Sequence, residues 1–516
     1  MADRADQPPG QIAARVHSST PDTMAITYYD DEKASSKEVL PHDGDILQGD
    51  KDKHNYVVEV APVGEHVTVH DAVFGEVGEE GPNYRSVSWM GAAALMTKAN
   101  VGLGVLSIPE VFKQVGLIPG LILILVIQGI ATYADYVICT FKLNHLEVFG
   151  LADAGMVMFG RAGKEFLAIT FCLYMIFVSG SAMIALSTAL NAISMHGACT
   201  AIFVAVAAIT GFIFSSIRTL GQIMWLGWVG CVSIVAALLI LVIAVGTQGA
   251  PVDLPPGESV VIKLFGTPTF ARAMSSIASL VFACGGAPTF FGMISEMRDP
   301  REYPKALFAS QGFVTVLFCV IGAVTYAFCG DYVASPALGS AGPLLKKVCY
   351  GIAIPALLLT LMIYCHTAAK YIMVRLLRGT RHLTANTATH WTVWLSSVFG
   401  CIFIAYILAS SIPVFGSLIS FVGALFSPIM AMGPYSLMWL YDNYRDPMAD
   451  GRFWKARAGR TLRNKLLTGY HFLICLVTIF LTVGGTYGSI VDLIDASKSA
   501  QNKPWTCADN SNSVKQ

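Results

Sequence analysis

Charged residues are scarce in this chain, and their scarcity excludes an ordinary soluble protein. Only 13% of the 516 residues are Asp, Glu, Lys or Arg, while 54% are hydrophobic. Soluble domains carry about 25% charged residues. A balance this far from that value indicates that lipid surrounds most of the chain, so we expect an integral membrane protein.

Catalytic and metal-binding motifs are also missing. The sequence contains no HExxH, no GxSxG and no Asp pair within its apolar runs, and its cysteines form no CxxC pair. We therefore expect no enzyme, no metal or other cofactor, and no nucleic acid among the partners. A disulfide framework is not indicated, but one bridge stays open among Cys199, Cys329, Cys349 and Cys507 if they share the non-cytosolic side.

The N-terminal segment lacks any apolar run of helical length. Residues 1–80 hold 17 acidic and 6 basic residues, a net charge of −11 that the remainder of the chain balances with +11. Such a segment cannot bury enough apolar surface to offset its conformational entropy. We expect residues 1–84 to form a disordered cytosolic tail without a cleaved signal peptide. Its Lys33, Lys37, Lys51 and Lys53 make it a candidate handle for ubiquitin or trafficking machinery, and a merely solvated tail is the alternative.

Long apolar runs occupy the rest of the chain. A helix needs about 20 apolar residues to cross the hydrocarbon core, and eleven runs meet this requirement. They cover approximately residues 89–112, 116–142, 165–192, 198–216, 220–246, 271–295, 305–329, 346–376, 390–410, 413–441 and 467–494. We expect an all-α bundle of eleven transmembrane helices over residues 85–495, followed by a short extracytosolic tail over residues 496–516.

The loops between these runs predict the orientation. With a cytosolic N-terminus, the inner segments hold 19 Lys and Arg residues and the outer segments hold 8. Positive charge accumulates on the cytosolic side. We therefore expect the N-terminus inside and the C-terminus outside, an arrangement that needs an odd number of spans.

Two of the runs read as broken helices. Residues 98–109, KANVGLGVLSIP, place a lysine, an asparagine, two glycines and a proline within the first span. The sixth span contains FACGGAP at residues 282–288. Irregular backbone survives at membrane depth only where protein or a watery cavity satisfies it. Interrupted helices at matching positions of two five-helix halves point to an inverted-repeat transporter.

The two breaks predict a site for a zwitterion. Free amides near Leu103 and Gly104 suit a carboxylate, and free carbonyls near Ala283 and Cys284 suit an ammonium group. On this hypothesis, Gly104→Val abolishes transport because its side chain fills the substrate space. The alternative is that the glycines only permit close helix packing.

The same residues resemble a known family. KANVGLGVLSIPEVFKQVGLIPG is similar to the first helix of the amino acid/auxin permeases, and FACGGAPTFFGMISEMRDPREYPKAL to their sixth helix and following loop. The resemblance covers about residues 86–495 and looks closest to fungal neutral amino acid permeases. It implies a leucine-transporter-type fold of the APC superfamily and amino acid uptake driven by an ion gradient, which in the fungal members is usually a proton gradient. The matching substrate positions are Asn100, Val101, Gly102, Leu103 and Gly104 in the first helix, and Phe282, Ala283, Cys284, Gly285 and Gly286 in the sixth.

Several single residues are candidates for substrate contact, coupling or gating. Lys98 stands just before the first break, where its ammonium would repel sodium and stand in for it, unless the side chain snorkels to the cytosolic face. Tyr174 in the third span is a candidate for meeting the carboxylate or closing the outer gate, with core packing as its alternative. Glu296 beside Arg298 suggests a cytosolic gate salt bridge or an ordinary helix-end charge, and Thr360 is a weaker coupling candidate.

Charged side chains other than Lys98 are absent near the two breaks. Asp135 is expected near the cytosolic end of the second span and Glu110 near the outer mouth of the first. A neutral aliphatic or aromatic L-amino acid is therefore the expected substrate, since a charged one needs a counter-charge. We expect a proton symporter that works by alternating access at the plasma membrane. A vacuolar amino acid exporter or antiporter is the nearest alternative, and a channel or receptor-like protein is the alternative from another class.

Overall fold

A computed structural model describes most of the chain after residue 86. It covers residues 87–217, 227–251, 254–255, 257–378, 380, 382, 387–444, 461–498 and 503–514 in full, and residues 14–18, 24–28, 69–71, 75–77 and 224–226 by their backbone alone. The chain divides into two units, Met1–Ser86 and Val87–Gln516.

The described part of the first unit consists of two short hairpins. Strand β1 (Ala14–Ser18) pairs antiparallel with β2 (Met24–Tyr28), and β3 (Val69–Asp71) pairs antiparallel with β4 (Gly75–Val77). The sequence analysis does not predict these strands. The rest of the predicted tail, with its four lysines, lies outside the described residues, so its disorder and its role as a handle stay predictions.

The second unit is helical. Its described helices are α1 (Trp89–Asn100), α2 (Ile108–Val115), α3 (Leu117–Asn144), α4 (Leu151–Ser194), α5 (Thr200–Ser215), α6 (Met224–Thr247), α7 (Phe270–Ala283), α8 (Phe290–Glu296), α9 (Tyr303–Cys329), α10 (Pro343–Leu377), α11 (Ala388–Ser411), α12 (Phe415–Leu425), α13 (Ser427–Ala431), α14 (Gly433–Tyr444) and α15 (Leu462–Ser497).

Every predicted span has a helical counterpart. Among the described residues, nine helices are long and apolar enough to cross a membrane, with each of the pairs α1–α2 and α7–α8 taken as one, and the bent pair formed by α12 with α13–α14 raises the number to ten. Helix α5 is apolar but has only 16 residues. The exact number of eleven spans therefore stays a prediction.

The third span differs from its predicted bounds. Helix α4 begins at Leu151, well before the predicted start at residue 165, and ends at Ser194. Gly160 interrupts it with a φ of 67°, a conformation that a glycine adopts without steric cost. The apolar run at residues 165–192 therefore predicts the apolar part of α4, whereas the helical turns before the bend at Gly160 are not predicted.

The first span is broken where the sequence predicts. Helix α1 ends at Asn100, Val101–Leu103 follow without helical structure, and a 3₁₀ turn at Gly104–Ser107 leads into α2. We call Val101–Leu103 the first break. Pro109 lies in the opening turn of α2, where its missing N–H costs no hydrogen bond.

The sixth span has a matching interruption. Helix α7 ends at Ala283, Cys284–Gly286 form a turn, and a 3₁₀ turn at Ala287–Thr289 leads into α8. We call Cys284–Gly286 the second break. Helix precedes and follows each break, so each span consists of two half-helices whose ends meet in its buried middle.

Burial is arranged as a lipid solvent requires. Large apolar side chains such as Ile209, Val232, Val316 and Leu476 are more than half exposed, which only a hydrocarbon environment makes favourable over so many positions. The polar side chains of Asn100, Gln128, Ser187 and other spanning residues are buried inside the bundle instead.

The C-terminal segment, residues 503–514, is bound to one end of the bundle by a disulfide and hydrogen bonds. Cys507 forms a disulfide with Cys199 at the start of α5. Thr200 Oγ1 donates to the carbonyl of Ala508 at 2.6 Å, and Trp505 N donates to the carbonyl of Ser410 at 2.9 Å. The bridge that the sequence analysis left open is therefore present, and it joins the α4–α5 corner to the segment that follows α15.

We expect loss of this bridge to destabilise the bundle without altering its site. Cys199→Ser, Cys507→Ser and the double variant should each lower the free energy of unfolding by about 2–4 kcal/mol, measured as thermal stability in detergent. Equal losses in the single and double variants identify the bridge as the cause. Cys329→Ser is the matched control, because Cys329 is a free buried thiol.

Candidate substrate and coupling site

The first break exposes two backbone donors. Val101 N is still bonded to the carbonyl of Thr97 at 2.7 Å, and Gly102 N is bonded to that of Asn100 at 3.1 Å. The amides of Leu103 and Gly104 have no hydrogen-bond acceptor among the described residues. These are the two amides that the sequence analysis assigns to a carboxylate, and they precede α2 as a half-helix N-terminus does.

The second break exposes acceptors. Gly285 N bonds to the carbonyl of Phe282 at 3.0 Å, whereas the carbonyls of Ala283 and Cys284 receive no hydrogen bond in the part of the chain that the structure describes. The hydroxyl of Tyr174, from α4, donates to the carbonyl of Gly285 at 3.0 Å. Tyr174 therefore holds the unwound backbone in place.

A cavity lies between the two breaks. Its lining residues are Lys98, Ala99, Asn100, Gly102, Leu103, Gly104, Tyr174, Val178, Phe282, Gly285, Thr360 and Tyr364. The cavity leaves about 20 Å³ for the centre of a water molecule, which is room for about one water. An amino acid larger than this cannot enter without displacement of the surrounding helices.

Four of the predicted substrate positions lie outside this lining: Val101, Ala283, Cys284 and Gly286. Ala283 packs against Gly104, and the thiol of Cys284 donates to Gln128 Oε1 at 2.9 Å. Gly286 N donates to Asn100 Oδ1 at 3.2 Å, a bond that joins the two breaks directly. These positions shape and connect the breaks, while the cavity itself is lined by their neighbours.

The two glycines of the first break have different surroundings. A Cβ added to Gly104 would lie 2.3 Å from Ala283 Cα, closer than real atoms approach. A Cβ added to Gly102 would meet nothing nearer than Thr360 Oγ1 at 3.8 Å and Lys98 Nζ at 4.0 Å. Both glycines line the cavity. The expectation that a side chain at Gly104 fills the substrate space is corrected in its cause, because the first added atom collides with Ala283 of α7, whereas a methyl group at Gly102 would extend into open space.

Lys98 does not snorkel to the surface. Its side chain is 6% exposed, and its ammonium donates to Thr360 Oγ1 of α10 at 2.9 Å. Gly230 of α6 lies so close that an added Cβ would be 2.9 Å from Lys98 Cε. No carboxylate of the described residues forms an ion pair with Lys98, and the Thr360 hydroxyl is the hydrogen-bond acceptor of its ammonium group.

The gate salt bridge proposed for Glu296 stays a prediction. The Glu296 side chain is exposed and forms no ion pair with Arg298 among the described contacts. The closure comes from the backbone instead: Val87 N donates to the carbonyl of Glu296 at 3.1 Å, and Arg298 N donates to that of Val87 at 2.9 Å. The ends of the two broken spans are thereby tied together at the side predicted to be cytosolic.

Sequence reasoning missed the side chains that surround the breaks from other helices. Val178 and Tyr364 line the cavity, and Gln128 and Gln311 lie buried beside the breaks. Glutamines within apolar runs are themselves a signal, because polar groups at membrane depth need partners. The identity of those partners has no signature in the sequence.

The paired breaks and the bundle around them form a leucine-transporter-type fold. The inward-facing structure of the transporter Mhp1 superposes with a TM-score of 0.50 at 12% identity, over 81% of this chain and 92% of that one. A family model described as transmembrane amino acid transporter protein matches residues 85–441. The chain belongs to this family, as the resemblance in its two broken helices predicts.

Similar fungal proteins extend over most of the chain. A transmembrane transporter of Gibberella moniliformis is 34% identical over 439 residues, which make up 84% of this chain and 90% of that protein. The N amino acid transport system protein of Neurospora crassa is 29% identical over 445 residues, or 84% of this chain and 91% of its own. The protein is thus a transporter and not an enzyme.

Substitutions at the two glycines should separate packing from substrate contact. We expect Gly104→Ala to destabilise the protein by about 1–3 kcal/mol through overpacking against Ala283, and to abolish transport. Gly102→Ala should leave thermal stability unchanged and raise the substrate KM, because its methyl group enters the cavity. Normal stability of Gly104→Ala would contradict the close approach, and an unchanged KM in Gly102→Ala would remove that glycine from the substrate site.

Proposed function

We propose that the protein is a proton symporter that imports neutral aliphatic or aromatic L-amino acids by alternating access. The observation that carries this proposal is a cavity between the two breaks, lined by Leu103 and Gly104 with their free amides. The free carbonyls belong to Ala283 and Cys284, which lie between the lining residues Phe282 and Gly285. The family supports amino acids as the substrate class, and the name of the Neurospora relative agrees with it.

The chemistry of the cavity supports a neutral substrate. The amides of Leu103 and Gly104 offer a site for the carboxylate, and the carbonyls around the second break offer acceptors for the ammonium group. Val178, Phe282 and Tyr364 supply apolar and aromatic surface for the side chain. The lining residues include no acidic side chain, so a basic substrate side chain finds no counter-charge. Lys98 is the one charged lining residue, and it already donates to Thr360.

Lys98 is proposed as the coupling group. Protonated, it joins α1 to α10 through Thr360 and leaves no need for a metal cation between these helices. Loss of the proton removes the charge that favours this bond and releases α1 from α10. The titratable side chains that face it are Cys231 of α6 and, around the cavity, Tyr174 and Tyr364. A carboxylate that would hold the proton permanently is absent among the described neighbours.

Alternating access follows from the size of the cavity. Room for about one water requires that the half-helices separate on one side to admit an amino acid. The backbone bonds of Val87 with Glu296 and Arg298 hold the predicted cytosolic ends together. Release to the cytosol therefore requires that these bonds break, while the opposite ends admit substrate when α2 and α7 part.

The disulfide supports the proposed orientation. Disulfides form in oxidising compartments and are rare on the cytosolic side, and the Cys199–Cys507 bridge lies at the end of the bundle that positive charges predict to be outside. We propose a cytosolic N-terminus and residence in the plasma membrane. A tagged protein found at the vacuole would favour the exporter instead.

Uptake by vesicles containing the purified protein tests the function. We expect an imposed inward proton gradient to drive concentrative accumulation of radiolabelled neutral amino acids without sodium, and unlabelled neutral amino acids to compete at two pH values. Equilibration without accumulation would contradict proton symport, and competition by dibasic or acidic amino acids would contradict the neutral substrate class.

Variants of the Lys98–Thr360 pair test the coupling. Lys98→Met and Thr360→Val should lose proton-driven accumulation while retaining exchange of labelled for unlabelled substrate, because the cavity remains but the proton-dependent bond between α1 and α10 is gone. Thr360→Ser keeps the hydroxyl and serves as the control. Unchanged pH dependence in Lys98→Met would exclude Lys98 from coupling.

A further inference from the structure

A chain of buried polar side chains runs from the second break to a carboxyl group in α3. Asn100 Nδ2 donates to Gln311 Oε1 at 3.3 Å, and Gln311 Nε2 donates to Asp135 Oδ2 at 2.6 Å. Asn100 also accepts the bond from Gly286 N. Asp135 is 1% exposed, so its carboxyl is connected to the breaks and shielded from solvent.

One backbone group fixes the direction of each hydrogen bond between Gly286, Asn100, Gln311 and Asp135. Gly286 N–H can only donate, so Asn100 Oδ1 faces it and the Asn100 amide NH₂ faces Gln311. Gln311 must then present its oxygen to Asn100 and its NH₂ to Asp135. Asp135 Oδ2 is therefore an obligatory acceptor. Gln128 Nε2, at 2.6 Å from Gln311 Oε1, enforces the same orientation.

The second carboxyl oxygen has no partner. Asp135 Oδ1 is buried and makes no hydrogen bond in the part of the chain that the structure describes. The titratable groups that face this carboxyl are Tyr303 of α9, Tyr435 of α14 and Cys284 of the second break. The Tyr303 hydroxyl donates to the backbone carbonyl of Asp135 at 3.2 Å and so does not donate to the carboxyl group.

An ionised carboxylate in this place would be costly. It would have one neutral hydrogen-bond donor, and no Lys, Arg or His side chain faces it among the described residues. Buried charges persist in proteins when they are paired, and otherwise neutralise by binding or losing a proton. A proton on Oδ1 removes the charge and leaves Oδ2 free to accept the hydrogen bond from Gln311. The protonated carboxyl therefore agrees with the observed hydrogen bond.

We propose that Asp135 is a second proton-binding residue of this transporter, linked to the two breaks through Gln311 and Asn100. This inference rests on the proposed proton coupling and adds to it a group outside the substrate cavity. The proton leaves Oδ1 for a water molecule, and the carboxylate left behind favours a conformation in which water reaches α3. Reprotonation from water restores the closed packing. Gln311 and Asn100 are positioning residues that pass this change to Gly286.

Asp135→Asn is the decisive variant, because it imitates the protonated carboxyl in shape and still offers an oxygen to Gln311. We expect it to keep its thermal stability and its exchange of labelled for unlabelled substrate, and to lose both proton-driven accumulation and the dependence of uptake on external pH. Glu147→Gln removes one charge at an exposed position and is the matched control. Accumulation and a pH profile like those of the unaltered protein would overturn the proposal.

Infrared difference spectroscopy gives a readout that does not depend on transport. The purified protein should show a protonated-carboxyl band that shifts in D₂O and is missing in Asp135→Asn. A band of equal intensity in that variant overturns the proposal. If the unaltered protein fails to accumulate substrate, the proposed symport fails, while this band still decides whether Asp135 holds a proton.

Gln311→Glu provides a second variant in case Asp135→Asn does not fold. It places another carboxyl against Asp135, and like charges at this distance favour retention of a proton. We expect the midpoint of the pH dependence of uptake to move to more alkaline values, with exchange retained. An unmoved midpoint would show that Gln311 is not linked to the proton site.

Discussion

Backbone polar groups released inside hydrocarbon must find partners within the protein, and the site is built around this requirement. Each break frees amides and carbonyls at a depth where water does not satisfy them. Side chains from neighbouring helices bind some of these groups: the Tyr174 hydroxyl donates to the Gly285 carbonyl, and Asn100 Oδ1 accepts from the Gly286 amide. Four backbone groups still have no hydrogen-bond partner among the described residues: the amides of Leu103 and Gly104 and the carbonyls of Ala283 and Cys284. In the proposed function, a bound zwitterion supplies these partners.

Close contact between the two broken spans is the second element of this design. Gly104 lets α7 approach so closely that even one methyl group would collide with Ala283, whereas Gly102, two residues earlier, faces the cavity. Packing and substrate contact were opposed as alternative explanations of the glycines. The structure shows close packing at Gly104 and open space at Gly102, because the irregular backbone directs these two positions toward different neighbours.

The positions of the breaks could be predicted from the sequence because glycine and proline act locally. The same holds for the long apolar helices, whose existence depends only on length and composition. The partners could not be predicted. Lys98 meets Thr360 across 262 residues, and Gln311 meets Asp135 across 176; such pairs depend on how each helix is rotated, which a hydropathy pattern does not record. The backbone bond from Val87 to Glu296 could not be predicted for a related reason, because no residue type in the sequence signals it.

The bridge between Cys199 and Cys507 also bears on how the molecule is assembled. Cys507 follows α15, so the corner of α4 and α5 cannot be sealed until the last helix has been synthesised and threaded through the bilayer. A chain whose last helix failed to cross the bilayer would leave Cys507 on the opposite side from Cys199, and the two thiols could not meet. The covalent bond therefore requires that both cysteines reach the same side, and a non-reducing gel separates chains that have formed it from chains that have not.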